Sequence, residues 1–330
     1  MMAMQQESRT TPATVPIALW LDQTQEPLLD RLLAHHRLHP IMLGSPDTSW
    51  SRLTADRLGL QYLERPSLCW SEEAGCPLLI GSNKRLDTEE LHRVLASGSR
   101  KFSLVPRPGT IEEINHDSGL SCTLIPLFRN SPTHGRLMDV MDSFGRPRAI
   151  NICIRCRPEH GHLGGRLFDA MDLVLDLCDA PQRIDATYVP TTGCPGPEQL
   201  ESLRDLHGHL SMNLRLGPDR CASIMVSNDA GQWLRGITLL GDSGCLRVSD
   251  TSLSWYASDG GIIESIENDD EIDGTEFIID GLVRNLDGKA QAKSPDRHRQ
   301  VLALCESVRL SCRTGTAEEP SRMFELLDRV

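Results

Sequence analysis

Between residues 17 and 105, short apolar runs alternate with segments of helical periodicity, and this alternation constrains the fold more than any other feature. Ile17-Ala18-Leu19-Trp20-Leu21 has the length of a strand. Leu28, Leu29, Leu32 and Leu33 then recur at helical spacing, with Pro27 in the first turn, where no amide donor is needed. Pro40-Ile41-Met42-Leu43 is a second strand and leads to a helix through Trp50, Leu53 and Leu58. Pro77-Leu78-Leu79-Ile80 precedes a helix over 87–96, with Leu91, Val94 and Leu95 on one face, and Phe102-Ser103-Leu104-Val105 closes the series. A strand that is apolar throughout must be covered on both faces. The series therefore predicts an α/β unit, a doubly wound parallel sheet with helices on either side.

From about residue 131 the texture changes. A helix through Leu137, Val140 and Met141 stops at Gly145-Arg146-Pro147, and Ala149 to Arg157 alternates as a strand. After an apolar helix over 167–177 come several strand-like stretches separated by turn residues: 184–189, 208–216, 223–227, 233–240 and 245–248. Such a run predicts a largely antiparallel sheet. A last helix from about Arg297 to Thr314 ends at Gly315, a residue suited to a left-handed terminator. The expected organisation is a polar tail over 1–14, a Rossmann-like domain over 15–130, and an α+β domain with a large open sheet over 131–330.

A length of 330 residues suits two cores better than one. The formal charge, 34 − 46 = −12, offers no cationic excess to displace counterions from a duplex, so nucleic acid is not an expected partner. The opening residues lack a basic stretch followed by an apolar run, and nothing approaches membrane-spanning length. Eleven cysteines scattered singly argue for reduced thiols, hence for a cytoplasmic protein.

Three segments of the second half resemble the glucose-fructose oxidoreductase/inositol dehydrogenase (Gfo/Idh/MocA) family. Residues 165–177, Gly-Arg-Leu-Phe-Asp-Ala-Met-Asp-Leu-Val-Leu-Asp-Leu, resemble its central helix. Residues 235–248, with Gly241-Asp242-Ser243-Gly244, resemble its Gly-x-x-Gly hairpin, and residues 294–315 resemble its terminal helix. The resemblance implies a nucleotide-binding domain joined to a sheet that mediates homo-oligomers. It also implies hydride transfer between a nicotinamide and a sugar or cyclitol hydroxyl.

The residues at the family's chemical positions are unusual. A dinucleotide pyrophosphate needs glycines after the first strand so that backbone amides can approach it. Leu21, Gln23 and Glu26 stand at those places, with the acids Asp22 and Glu26 on the phosphate path. Gln23 and Thr24 are the remaining candidates for cofactor contact, Thr24 also as a helix cap, and Asp47 is placed for ribose hydroxyls, although an Asp beside a proline is more often a turn residue. The family's Glu-Lys-Pro element is represented by Pro106-Arg107-Pro108. Arg107 retains a cation but holds its proton too tightly to shuttle it. On the central helix Asp169 and Asp176 match the acids, while Met171 and Leu173 take the glycine and histidine places. Leucine cannot do acid–base work. Asp169, Asp172 and Asp176 recur at spacings of three, four and seven, which raises a carboxylate cluster as a candidate, or else solvated helix charges.

His162 is a candidate polar group at the mouth of the cleft, while His207 and His209 have no partner visible in the sequence. Cys153, Cys156, His160 and His162 form a C-x2-C-x3-H-x-H string whose spacing does not suit zinc, so no metal is expected. The acidic stretch from Glu264 to Glu276 lacks the ligand order of a calcium loop and is expected to be a solvated connector.

The expected function is accordingly a non-catalytic or atypical ligand-binding or assembly protein, with no cofactor and a small sugar-like ligand. An active NAD(P)-dependent oxidoreductase is the alternative, and a hydrolase or lyase working through the three aspartates is a weaker third.

Overall fold

The computed structural model describes residues 14–70, 76–84, 86, 88–111, 113, 122–266, 273–290 and 294–328. Of the acidic stretch, 267–272 lies outside the described residues, as do 1–13 of the polar tail and Asp87 of the third predicted helix.

The first half winds through β1 (Val15–Trp20), α1 (Glu26–Ala34), β2 (Leu38–Gly44), α2 (Thr48–Leu58), β3 (Gln61–Tyr62), β4 (Leu78–Ile80), α3 (Thr88–Ala96), β5 (Lys101–Ser103) and β6 (Cys122–Leu124). The strands form one sheet in the order β3-β2-β1-β4-β5-β6, every pair parallel. Ile17, Ala18, Leu19 and Leu21 are all fully buried, as expected of strands covered on both faces. Strand order reverses between β1 and β4, so the loops after Trp20 and Ile80 border the crevice in which such sheets bind ligands.

The second half carries α4 (Pro132–Phe144), β7 (Ala149–Arg155), α5 (Leu163–Leu177), β8 (Arg183–Pro190), β9 (Gly208–Arg215), β10 (Cys221–Ser227), β11 (Leu234–Gly241), β12 (Gly244–Ser249), β13 (Leu253–Tyr256) and β14 (Ile262–Ile266). These eight strands form a sheet in the order β14-β13-β12-β11-β7-β10-β9-β8, antiparallel except where β7 meets β10. The β11–β12 hairpin pairs Gly241 with Gly244. Along β8, β9 and β10 every second residue is buried beneath α5 and α7 (Pro295–Thr314), while the alternate residues, Thr187, Ser211 and Met225 among them, are exposed. Strands β13 and β14 were not legible in the sequence, nor was α8 (Pro320–Asp328), which packs on α7.

One element crosses back. In α6 (Gly274–Leu286), Ile278, Ile279 and Leu282 join the core of the parallel sheet beside Leu28, Leu29 and Leu32 of α1. Arg37 clasps Asp287 through two hydrogen bonds of 2.5 and 2.7 Å just beyond it. The first core is thus completed by residues from far down the chain.

Candidate functional site

At the end of β1 the chain enters a short 3-10 turn instead of a glycine loop. Asp22 is the cap here, not Thr24: its Oδ1 accepts from the Thr24 amide at 3.2 Å and from the Thr24 hydroxyl at 3.1 Å. The Gln25 side chain returns the bond, its Oε1 accepting from the Asp22 amide at 3.0 Å. Its Nε2 donates to the carbonyls of Gly81 and Glu159, each at 3.3 Å. Gln25 is only 3% exposed and spans the crevice between the two halves. It fits because Gly81 has no side chain; a Cβ there would stand 2.3 Å from Gln25 Oε1. Gln25, rather than Gln23 or Glu26, is therefore the side chain buried at the end of β1 between Gly81 and Glu159. Lys84 Nζ meets Asp22 Oδ2 at 2.9 Å across the same opening. Burial raises the Asp22 pKa, but the bonds from Lys84 and Thr24 outweigh it and hold the carboxyl below its ordinary value.

Asp47 is the N-cap of α2. Its Oδ1 accepts from the amides of Ser49 (3.1 Å) and Trp50 (3.0 Å) and from the Ser49 hydroxyl (2.9 Å). That oxygen is committed to the helix terminus.

The three aspartates of α5 each meet arginine or histidine partners away from the crevice. Asp169, fully buried, accepts from the Phe128 amide at 2.8 Å and lies 3.0 Å from Arg235 Nη2. Arg235 reaches Asp250 at 2.5 Å with its other terminal nitrogen and lies over the rings of Phe128 and Trp233. Asp172 is bonded by Arg297 at 2.7 Å and faces Arg129 at 3.4 Å. Burial raises its pKa against the pull of those arginines. Asp176 joins His134 and, at 3.0 Å, Arg297. Burial raises Asp176 too, yet its bond with His134 and the charge of Arg297 hold it below its ordinary value. These carboxylates tie α5 to neighbouring elements and do not meet as one cluster facing the cleft. Leu173 is 1% exposed and belongs to the hydrophobic core.

Arg107 follows β5 and is 4% exposed, its peptide bond to Pro108 cis. Its charge acts on His162 and on Glu113, which also binds Arg204 at 2.8 Å.

His162 is where the structure adds most to the sequence. As the N-cap of α5 it accepts the Gly164 amide on Nδ1 at 3.2 Å, and its own amide reaches the Leu104 carbonyl at 3.4 Å. Its Nε2 stands 3.0 Å from His207 Nε2, with the rings edge to face. Two close fits bring the imidazoles together. Gly164 presses against the backbone before His207 so tightly that a Cβ would stand 2.2 Å from the Leu203 carbonyl. Tyr188 Oη donates to the His207 carbonyl (2.8 Å) and accepts its amide (3.1 Å). Burial pushes the His162 pKa well down, His207 adding to the effect. Burial, then Lys84, lowers His207. No sequence signal pairs residues 45 positions apart, so the pair was not visible before folding.

His209 Nδ1 contacts Ser227 Oγ at 2.9 Å. Cys156 is buried, its thiol pushed up to about 11 by burial, and His160 packs against Trp233 and Asp273. Among the described residues no group of three His, Cys, Asp or Glu side chains could hold a metal ion.

What remains open is a cleft of about 200 Å3 lined by Asp22, Gln25, Lys84, His162, His207 and Asn228. Sites for drug-sized ligands and cofactors run to about 300–1,000 Å3. Gln25 lies across the turn after β1 and Asp22 beside it, both bordering this cleft.

Solved structures resemble the chain from end to end. WlbA dehydrogenase from Bordetella pertussis, solved with NADH and UDP-GlcNAcA, has a TM-score of 0.64 at 14% identity, over 94% of this chain and 99% of its own. An oxidoreductase from Agrobacterium radiobacter, solved with NAD+, L-tartaric acid and magnesium, has a TM-score of 0.67 at 13% identity, over 94% of this chain and 100% of its own. A myo-inositol dehydrogenase from Corynebacterium glutamicum has a TM-score of 0.60 at 14% identity, over 93% and 98%. The chain has the Gfo/Idh/MocA fold. No protein-family model matches the sequence, and no curated protein does. A parallel sheet followed by a large mostly antiparallel one is thus shared with these structures at an identity where shape alone is comparable. No helix among the described residues is long and apolar enough to cross a membrane.

Proposed function

We propose that this protein keeps the dehydrogenase scaffold as a binding protein for a small sugar-like ligand and carries out no nicotinamide chemistry. The observation that carries this reading is Gln25, buried and hydrogen-bonded to Gly81 and Glu159 on the path a pyrophosphate would take. The burial of Leu173 where the family pattern has histidine supports it, as does the engagement of Asp169 by Arg235. The exposed face of the eight-stranded sheet supports self-association, and the scattered cysteines support a reducing cytoplasm.

Titration with NADH and NADPH, followed by cofactor fluorescence, tests this. The expected result is no binding tighter than about millimolar, or roughly 4 kcal/mol of association free energy. Micromolar binding of either nucleotide would overturn it.

A second reading, an NAD(P)-dependent oxidoreductase acting on a sugar or cyclitol hydroxyl, is favoured by one observation. The His162–His207 pair borders the cleft and supplies imidazoles that the helix itself lacks. Turnover of nicotinamide with any polyol, lost in His207→Asn, would establish it.

A further inference from the structure

The cleft brings Lys84, His207 and Asn228 into one lining, and these donor groups point to a ligand class. The inference rests on the binding role proposed above.

The tautomers follow from the contacts. The Gly164 amide donates to His162 Nδ1 at 3.2 Å, so that nitrogen carries no proton. His162 is neutral in its buried position and therefore carries its proton on Nε2, which faces His207 Nε2 at 3.0 Å. On that assignment His207 accepts there and carries its own proton on Nδ1, the ring position that His162 does not hold. Asn228 is 3% exposed, and its Oδ1 accepts the Gly208 amide at 2.9 Å, leaving the NH2 as its remaining group in the cleft lining. Lys84 places one N–H on Asp22 and retains two more. The charge of Arg107 also acts on His162. The one carboxylate among the described lining residues, Asp22, is partly occupied by Thr24 and Lys84.

We propose that the cleft binds a small hydroxycarboxylate, its carboxylate held by Lys84, Asn228 and His207 Nδ1–H, with a ligand hydroxyl donating to Asp22. Charge-assisted bonds to an anion are the strong ones, and a neutral polyol offers these donors no such partner. The volume of about 200 Å3 suits a short-chain acid and not a nucleotide.

The test is calorimetric titration with D-gluconate and, as the neutral chain of equal length, D-sorbitol. Gluconate is expected to bind at millimolar concentration or better while sorbitol gives no signal. Lys84→Gln, on a side chain 70% exposed and therefore tolerant of change, is expected to weaken gluconate about tenfold or more. His207→Asn should weaken it as well. Equal affinity for gluconate and sorbitol, no gluconate binding, or binding indifferent to Lys84→Gln overturns the proposal. Adding NADH separates the two readings. Displacement of bound gluconate by micromolar NADH sinks the nicotinamide-free role while leaving the carboxylate site standing. Failure of both ligands to bind sinks only the carboxylate site.

Discussion

The Nε2 atoms of His162 and His207 stand 3.0 Å apart, and the amide of Gly164 fixes which of them donates. An added proton has no comfortable place. On His162 Nδ1 it would displace the bond that caps α5, and on His207 Nε2 it would face another N–H.

The pair therefore makes stability depend on pH. Both folded-state pKa values lie below the ordinary histidine value of about 6.5, from burial first and then from neighbouring charge. Below that value the unfolded chain binds more protons than the folded one, so stability rises with pH across the window and is lost as pH falls from 6.5 toward the folded values. His35 and His160 are depressed by burial too and contribute with the same sign. Urea unfolding between pH 5 and 8 should show this slope, and His207→Asn should flatten it; an unchanged slope in the variant would refute the assignment.

Arg235 neutralises two buried acids, Asp169 and Asp250, so Arg235→Met leaves both without their guanidinium. Removing one partner of a buried pair costs about 3–5 kcal/mol. The urea midpoint should fall accordingly, and by more than for Arg322→Met, whose ion pair with Glu319 is exposed and worth about 0–1 kcal/mol.

Gly81 and Gln25 share one space. Gly81→Ala should destabilise the protein, because its new Cβ would meet Gln25 Oε1 at 2.3 Å. In a Gln25→Ala background that cost should shrink, giving a coupling of roughly 1 kcal/mol or more in a double-mutant cycle. Strict additivity would mean that Gln25 does not fill the crevice as described.

Asp47→Ala should cost about 1 kcal/mol through loss of the α2 cap and leave any residual NADH signal unchanged. A selective loss of nucleotide affinity at constant stability would restore Asp47 to the ribose.

How much of this was legible in the sequence varies by element. The strand-helix alternation over 17–105 was readable because parallel strands buried on both faces are apolar at every position. β13 was missed because Leu253–Tyr256 does not alternate: Leu253, Ser254 and Trp255 are all buried. β14 was missed because its burial does not alternate: Ile262 and Ile263 are both exposed, and Glu264 reads as the start of an acidic connector. Leu21, Gln23, Glu26, Arg107 and Leu173 could be compared with the family pattern because each of its positions demands a particular chemistry. That Gln25 would be the residue to cross the crevice could not, since its carbonyl partners at positions 81 and 159 are backbone groups common to every residue.

The sequence by itself determined the two-domain architecture and which residues stand at the positions compared with the family pattern, because periodicity and side-chain chemistry are local properties. Only the tertiary structure decided what those residues meet. The glutamine across the turn, the arginine beside Asp169 and the meeting of two histidines 45 residues apart each depend on distances across the fold, which no local pattern encodes.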